Sequence, residues 1–96
     1  MKKYPLSPFG LDQYLYAVED SAYKLSDRYD YPFPVSVVAA PLRWYIATGR
    51  ASGSWLRSLL SIRPDVIARR LLQGGTDLEV MDRINQLIDT RKEIYP

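Results

Sequence analysis

The stretch TDLEVMDRINQLI, residues 76 to 88, is the strongest helix signal in the chain. Thr76 and Glu79 have the spacing of a capping box, in which each side chain accepts a hydrogen bond from the other residue's backbone N–H. Behind this box, five apolar residues recur at the three- and four-residue steps of one helix face: Val80, Met81, Ile84, Leu87 and Ile88. The stretch therefore predicts an amphipathic helix that buries this stripe against other elements.

Turn residues divide the sequence before this helix into shorter helical segments. Residues 49 to 54, GRASGS, form a turn in which Ser52 or Ser54 can cap a helix from about Trp55 to Ser61. Proline suits the first turn of a helix, so a further helix starts near Pro64 and ends at the glycine pair that precedes the capping box.

The apolar segment at residues 34 to 48 predicts a buried helix. Pro41 lacks a backbone N–H and its ring clashes with the preceding turn. We therefore expect this second helix to be kinked or newly started at Pro41. The β-branched residues within 35 to 38 leave a short extended piece as the alternative there.

The first helix is indicated by an apolar stripe at alternating steps of four and three: Leu11, Leu15, Val18, Ala22, Leu25 and Tyr29. Ser7 can cap this helix and Pro8 suits its first position. The proline-containing residues 30 to 34 must end it, because proline disfavours the α conformation in the residue before it. We expect residues 1 to 7 to be extended.

Composition fits one folded unit. Of 96 residues, 47% are hydrophobic and 25% are charged, which is ordinary for a globular protein. We therefore expect a single all-α domain over residues 1 to 96, a compact bundle of about five helices. The apolar runs are shorter than a membrane span and the first lysines are followed by prolines. A cytoplasmic protein without a membrane partner is the expectation.

Catalytic side chains are scarce. Histidine and cysteine are both absent, which removes the commonest general bases, nucleophiles and transition-metal ligands. The acids Asp77, Glu79 and Asp82 are spread around their helix and match its dipole. The glycine turn at 49 to 54 lacks the spacing and the lysine of a phosphate-binding P-loop. We therefore expect no enzyme, no cofactor and no metal site.

Charge is distributed unevenly, although the formal net charge is only +2. Residues 34 to 75 contain six arginines against one acid, Asp65. Arginine together with tryptophan is the composition of interaction hot spots. The candidate partner-binding residues are Arg43, Trp44, Arg50, Trp55, Arg57, Arg63, Arg69 and Arg70. In the opposing interpretation, these arginines form ion pairs within the chain, with acidic residues of the first and last helices.

Two functions fit this surface. The first is a non-catalytic interaction protein, an accessory subunit or inhibitor, that docks on a larger macromolecule, most simply on a protein with an acidic surface. The second is nucleic-acid binding, because residues 55 to 72 have the lengths of a degenerate helix-turn-helix. There, Arg57 and Arg70 occupy positions expected to be small or apolar, and Ser61 replaces the turn glycine.

Tyrosine is over-represented, with eight residues. Tyr16 and Tyr23 lie seven residues apart on the side of the first helix opposite its core stripe. Tyrosine offers rigid aromatic area with a polar tip, so these residues predict a second interface. Another helix of this chain, a second copy or a foreign partner could cover it, and a homo-oligomer is one of the expected possibilities.

Overall fold

Five α-helices make up the part of the chain that the computed structural model describes, residues 4 to 26 and 38 to 94, with the side chains of 91 to 94 excepted. They are α1 (Pro8–Leu25), α2 (Ala40–Ala47), α3 (Gly53–Leu60), α4 (Pro64–Leu72) and α5 (Asp77–Ile94). No strand occurs in these ranges. The Cα radius of gyration, 12.8 Å, is close to the roughly 12.5 Å expected for a compact domain of this length. The predicted all-α bundle of about five helices is confirmed.

The start of α1 follows the sequence signal. The Ser7 hydroxyl accepts a hydrogen bond from the backbone N–H of Gly10 at 3.0 Å, and Pro8 occupies the first turn. This cap satisfies one of the N–H groups that a helix start leaves without a partner. The predicted stop at residues 30 to 34 lies outside the described residues, as does Tyr29.

The two helices that follow also begin where local chemistry requires. α2 starts at Ala40 with Pro41 in its first turn, so the helix is newly started there. Residues 34 to 37, which hold the first part of the predicted helix and most of the alternative extended piece, lie outside the described residues. The first turn is where proline's missing N–H costs no hydrogen bond. Of the two candidate serines, Ser52 caps α3, and its Oγ accepts from the Trp55 backbone N–H at 3.1 Å.

The core lies where the two long helices meet the three short ones. α1 packs along α4, and α5 contacts α2, α3 and α4. The predicted stripes are confirmed for the buried residues Leu15, Val18, Ala22, Val80, Met81, Ile84 and Ile88. At the margins of the stripes, Leu11 and Leu87 are half-buried and Leu25 is exposed.

Tyr14 is a core residue that the helical stripe did not include. Its side chain is fully buried, and its hydroxyl donates to the carbonyl of Ile62 at 2.8 Å. Its ring meets that of Tyr4 edge to face, with 5.2 Å between centroids. Ile62 lies in the connection between α3 and α4, where backbone carbonyls lack a helical partner. Tyr14 therefore ties that connection to α1.

Replacing Tyr14 with Phe should lower the free energy of unfolding by about 1 to 2 kcal/mol, because the buried Ile62 carbonyl loses a donor. Urea denaturation followed by circular dichroism measures this change. Tyr16→Phe is the matched control, since that side chain is 58% exposed, and its midpoint should stay at the wild-type value. Equal midpoints for all three proteins would show that the hydroxyl of Tyr14 contributes nothing.

The capping box of α5 forms as predicted. The Thr76 backbone N–H donates to Glu79 Oε1 at 2.9 Å, and the Glu79 N–H donates to Thr76 Oγ1 at 3.2 Å. The bond from the Thr76 backbone, then that from its side chain, holds the pKa of Glu79 below its usual value, and the charge of Arg83 adds to this. Gly74 and Gly75 separate α4 from α5 with positive φ angles of 75° and 111°.

Thr76→Ala should lower the free energy of unfolding at neutral pH by about 1 kcal/mol, because the helix start loses its cap acceptor.

Since the folded-state pKa of Glu79 is lowered, the stabilisation by its carboxylate is present above the unfolded pKa and is lost as pH falls through the folded pKa. The midpoint difference between wild type and Glu79→Gln should therefore shrink between pH 7 and acidic pH. A pH-independent difference would mean that the carboxylate does not cap α5.

Candidate partner-binding surface

The corner between α2 and α3 brings two predicted site residues together. The guanidinium carbon of Arg50 lies 5.0 Å from the centroid of the Trp44 ring. Trp44 is 36% exposed and Arg50 is exposed. A cation over the face of an indole is attracted by the ring quadrupole. Trp44 and Arg50, called the corner pair below, form one exposed aromatic and cationic unit.

The backbone fixes the geometry of the corner pair. Gly49 takes a φ of 77° at the end of α2, a value that glycine adopts without strain. Its N–H donates to the carbonyl of Ile46 at 3.1 Å, and that of Arg50 donates to the carbonyl of Tyr45 at 3.4 Å. These bonds close the C-terminus of α2 and turn the chain back, so that Arg50 returns over Trp44.

Trp55, in the first turn of α3, is a core residue. Only 7% of its surface is exposed. Its indole Nε1 donates to Asn85 Oδ1 on α5 at 2.6 Å, and its ring packs on Tyr45 with 5.0 Å between centroids. The expectation that Trp55 contacts a partner does not fit this position. Periodicity could not reveal this position, because Trp55 belongs to neither predicted stripe and the sequence does not show which element packs against it.

Arg43 is engaged within the chain. Its Nη2 and Nε lie 2.6 Å and 3.1 Å from Glu19 Oε1 on α1, and its Nη1 lies 3.9 Å from Asp12. Glu19 is largely buried, with 14% of its side chain exposed. Charge-assisted bonds of this geometry are stronger than neutral ones. For Arg43, the internal pairing that the sequence left open is therefore the observed state.

The remaining predicted arginines are distributed over α3 and α4. Arg57 and Arg69 are exposed, and neither guanidinium has a hydrogen bond or ion pair within residues 4 to 26 and 38 to 90. Arg63 lies 3.4 Å from Asp65, and both are solvent-accessible. Exposed pairs of this kind contribute little to stability. Arg57 and Arg69 are thus the cations of this set that the fold leaves available.

Arg70 contributes to a groove between α4 and α5, about 450 Å³ in volume. Its lining contains no acidic residue: Arg70, Gln73, Arg83, Gln86, Leu87 and Thr90. Arg83 donates through Nη2 to the carbonyl of Gly74, which closes the C-terminal end of α4. Arg83 was missed by sequence reasoning because it lies in the acidic C-terminal segment. The sequence signal that could have drawn attention to Arg83 is its position four residues after Glu79, on the same face of the helix.

Other kinds of site find no support in the described residues. They contain no group of three or more acidic, histidine or cysteine side chains that could hold a metal ion. None of the helices described is both long and apolar enough to cross a membrane. No protein-family model matches the chain, and no curated protein or solved structure is significantly similar to it.

A double-mutant cycle on Arg43→Met and Glu19→Gln should give a coupling energy of about 1 kcal/mol, the upper end of the range for partly exposed pairs. The reason is that Glu19 is mostly buried and accepts two bonds from one guanidinium. The same cycle on Arg63→Met and Asp65→Asn is the control and should give less than about 0.3 kcal/mol. A coupling energy below about 0.3 kcal/mol for Arg43 and Glu19 would mean that Arg43 does not stabilise the fold through Glu19.

Proposed function

We propose that this chain is a cytoplasmic, non-catalytic interaction protein, an accessory subunit or inhibitor, that docks on an acidic protein surface through the corner pair. The observation that carries the proposal is the Arg50 guanidinium held over the exposed Trp44 ring. Arginine and tryptophan are among the residues most enriched in binding hot spots. At the corner, Trp44 and Arg50 lie side by side, and neither is buried in the core.

The stacked geometry favours tight recognition of carboxylates. Arg50 is already restrained by the ring beneath it, so less side-chain entropy is lost when it binds. Its N–H groups have no acceptor among the described residues, and a guanidinium can hold a carboxylate through two parallel bonds. Arg57, exposed on α3, supplies a second cation after the same turn.

The exposed face of α4 supports a protein partner over readout of duplex DNA. In a helix-turn-helix, the N-terminal residues of the second helix contact base edges. Here those residues are Pro64 and Asp65. The carboxylate of Asp65 would bring a negative charge into the groove of a polyanion, and Arg63 already interacts with Asp65. Nucleic-acid binding would instead depend on the separate cations Arg57 and Arg69.

Charge reversal tests the corner. The wild-type chain is first used to capture its partner protein from a nuclease-treated extract of the source cell. The variant with Arg50→Glu and Arg57→Glu should bind that partner at least tenfold more weakly, because charge complementarity becomes repulsion. Lys24→Glu is the control, since Lys24 is exposed on α1 and belongs to neither α2 nor α3, and it should bind like wild type. Calorimetry with the purified partner gives the affinities, and unfolding midpoints show that each variant is folded.

Two results would contradict the proposal. One is wild-type affinity in the folded, charge-reversed variant. The other is loss of the captured material on nuclease treatment together with binding of a generic duplex whose affinity falls steeply with salt, since each phosphate contact contributes about one unit to that slope. The second result would establish nucleic-acid binding.

A further inference from the structure

The groove between α4 and α5 is lined mainly by side chains that can donate hydrogen bonds. Its volume, about 450 Å³, lies within the range of small-ligand sites. Among the described residues, Leu87 is the one apolar side chain of the lining, and the polar ones are Arg70, Gln73, Arg83, Gln86 and Thr90. The acids of α5 nearest to them in sequence, Asp82 and Asp89, are exposed and do not line the groove. The groove therefore suits a molecule that is rich in hydrogen-bond acceptors.

Arg70 brings to the groove a guanidinium that has no acceptor in the described part of the chain. The residue is half-buried, unlike its exposed neighbour Arg69, so packing restrains the side chain. A restrained arginine loses less side-chain entropy when it binds. Its planar group can donate two parallel hydrogen bonds to two oxygens of one anion.

Arg83 is anchored through one nitrogen and unsatisfied at another. Its Nη2 donates to the carbonyl of Gly74, which holds the side chain at the end of α4. Its Nε is the one buried side-chain nitrogen or oxygen in residues 4 to 26 and 38 to 90 that lacks a hydrogen-bond partner. The nearby carboxylate of Glu79 is already occupied by the backbone N–H of Thr76. A buried donor without an acceptor costs free energy, and an anion in the groove would offset this cost by stabilising the whole guanidinium.

The charge of the groove matches a doubly charged anion. Arg70 and Arg83 contribute two positive charges, and the carbonyl end of α4 opposes them with only about half a negative charge. A carboxylate or a phosphodiester compensates one of these charges. A phosphate monoester carries about −1.5 to −2 at neutral pH and offers three acceptor oxygens, to which the side-chain amides of Gln73 and Gln86 can also donate.

We infer that the groove between α4 and α5 binds the phosphate group of a small phosphate monoester. Arg70 donates to two of the phosphate oxygens, Arg83 supplies the second positive charge, and the two amides complete the set of donors. Leu87 offers the apolar contact for the organic part of the ligand. This site is separate from the corner pair and does not depend on the function proposed there.

Titration with phenyl phosphate at constant ionic strength, followed by NMR of the isotope-labelled chain, tests the site. The Nε–H signal of Arg83 should be observable, because a buried proton exchanges slowly with water. It should shift together with the backbone signals of Gln73 and Gln86, and the shifts should saturate in the millimolar range or below. Dimethyl phosphate and acetate carry one negative charge each and should bind at least tenfold more weakly. Equal affinity for all three anions, or the absence of a saturable shift, would overturn the inference.

Arg70→Met should weaken the binding of phenyl phosphate at least tenfold, because one of the two guanidiniums is lost. Arg69→Met is the matched control, since Arg69 is the next residue, is exposed and lies outside the lining. Gln86→Glu places an acid in the groove and should also weaken binding at least tenfold, whereas Gln13→Glu, at an exposed position of α1, should bind like wild type. Unfolding midpoints show that each variant is folded. Wild-type affinity in Arg70→Met or in Gln86→Glu would contradict the assigned site.

A phosphorylated side chain of a partner protein is the other source of such a group. A neutral peptide that contains phosphoserine should bind no more tightly than phosphoserine itself, because the groove has the volume of a small-ligand site. Tighter binding of the peptide would overturn the assignment to a small molecule. The variant with Arg50→Glu and Arg57→Glu should bind phenyl phosphate like wild type, since neither residue lines the groove. Failure of the proposed function at the corner would therefore leave this result unchanged.

Discussion

The shortness of the three central helices is the constraint on which this structure depends. α2, α3 and α4 have eight, eight and nine residues, and isolated helices of that length are not stable in water. They persist because α1 and α5, each of 18 residues, pack against them. Specific polar contacts join short to long: Arg43 to Glu19, the Ile62 carbonyl to Tyr14, and Trp55 to Asn85.

This arrangement divides the arginines of residues 34 to 75 into those that are paired within the chain and those that are exposed. Arg43 is needed to attach α2 to α1, and its charge is matched by a mostly buried acid. Arg50, Arg57 and Arg69 have no such partner in the described ranges. An arginine that holds two elements together cannot also offer its full hydrogen-bonding capacity to another molecule. The cationic surface that such pairing leaves exposed is thus smaller than the composition indicated, and Arg50, stacked on Trp44, is part of it.

Local signals were sufficient to predict most of the fold. Ser7, Ser52 and the Thr76–Glu79 box act within four residues of the helix starts they define, so sequence spacing contains their geometry. Contacts between distant residues could not be predicted in this way. Trp55 meets a residue 30 positions away and Arg43 one 24 positions away. Spacing predicts which residues share a helix face, but not which element packs against that face or which charges meet across it.

Function is best sought among the side chains that packing and capping do not require. On α1, the inner residues Tyr14 and Val18 fill the core, whereas helix propensity at the outer positions would be served equally well by lysine or glutamate. Aromatic residues exposed on a helix neither improve its propensity nor fill the core, and they favour aggregation unless something covers them. Packing among the described residues therefore does not account for the exposed aromatic side chains of Phe9, Tyr16 and Tyr23. The same reasoning applies to Trp44, whose ring is stacked on a cation instead of being buried like that of Trp55. The proposed docking at the α2–α3 corner would account for the exposed ring of Trp44.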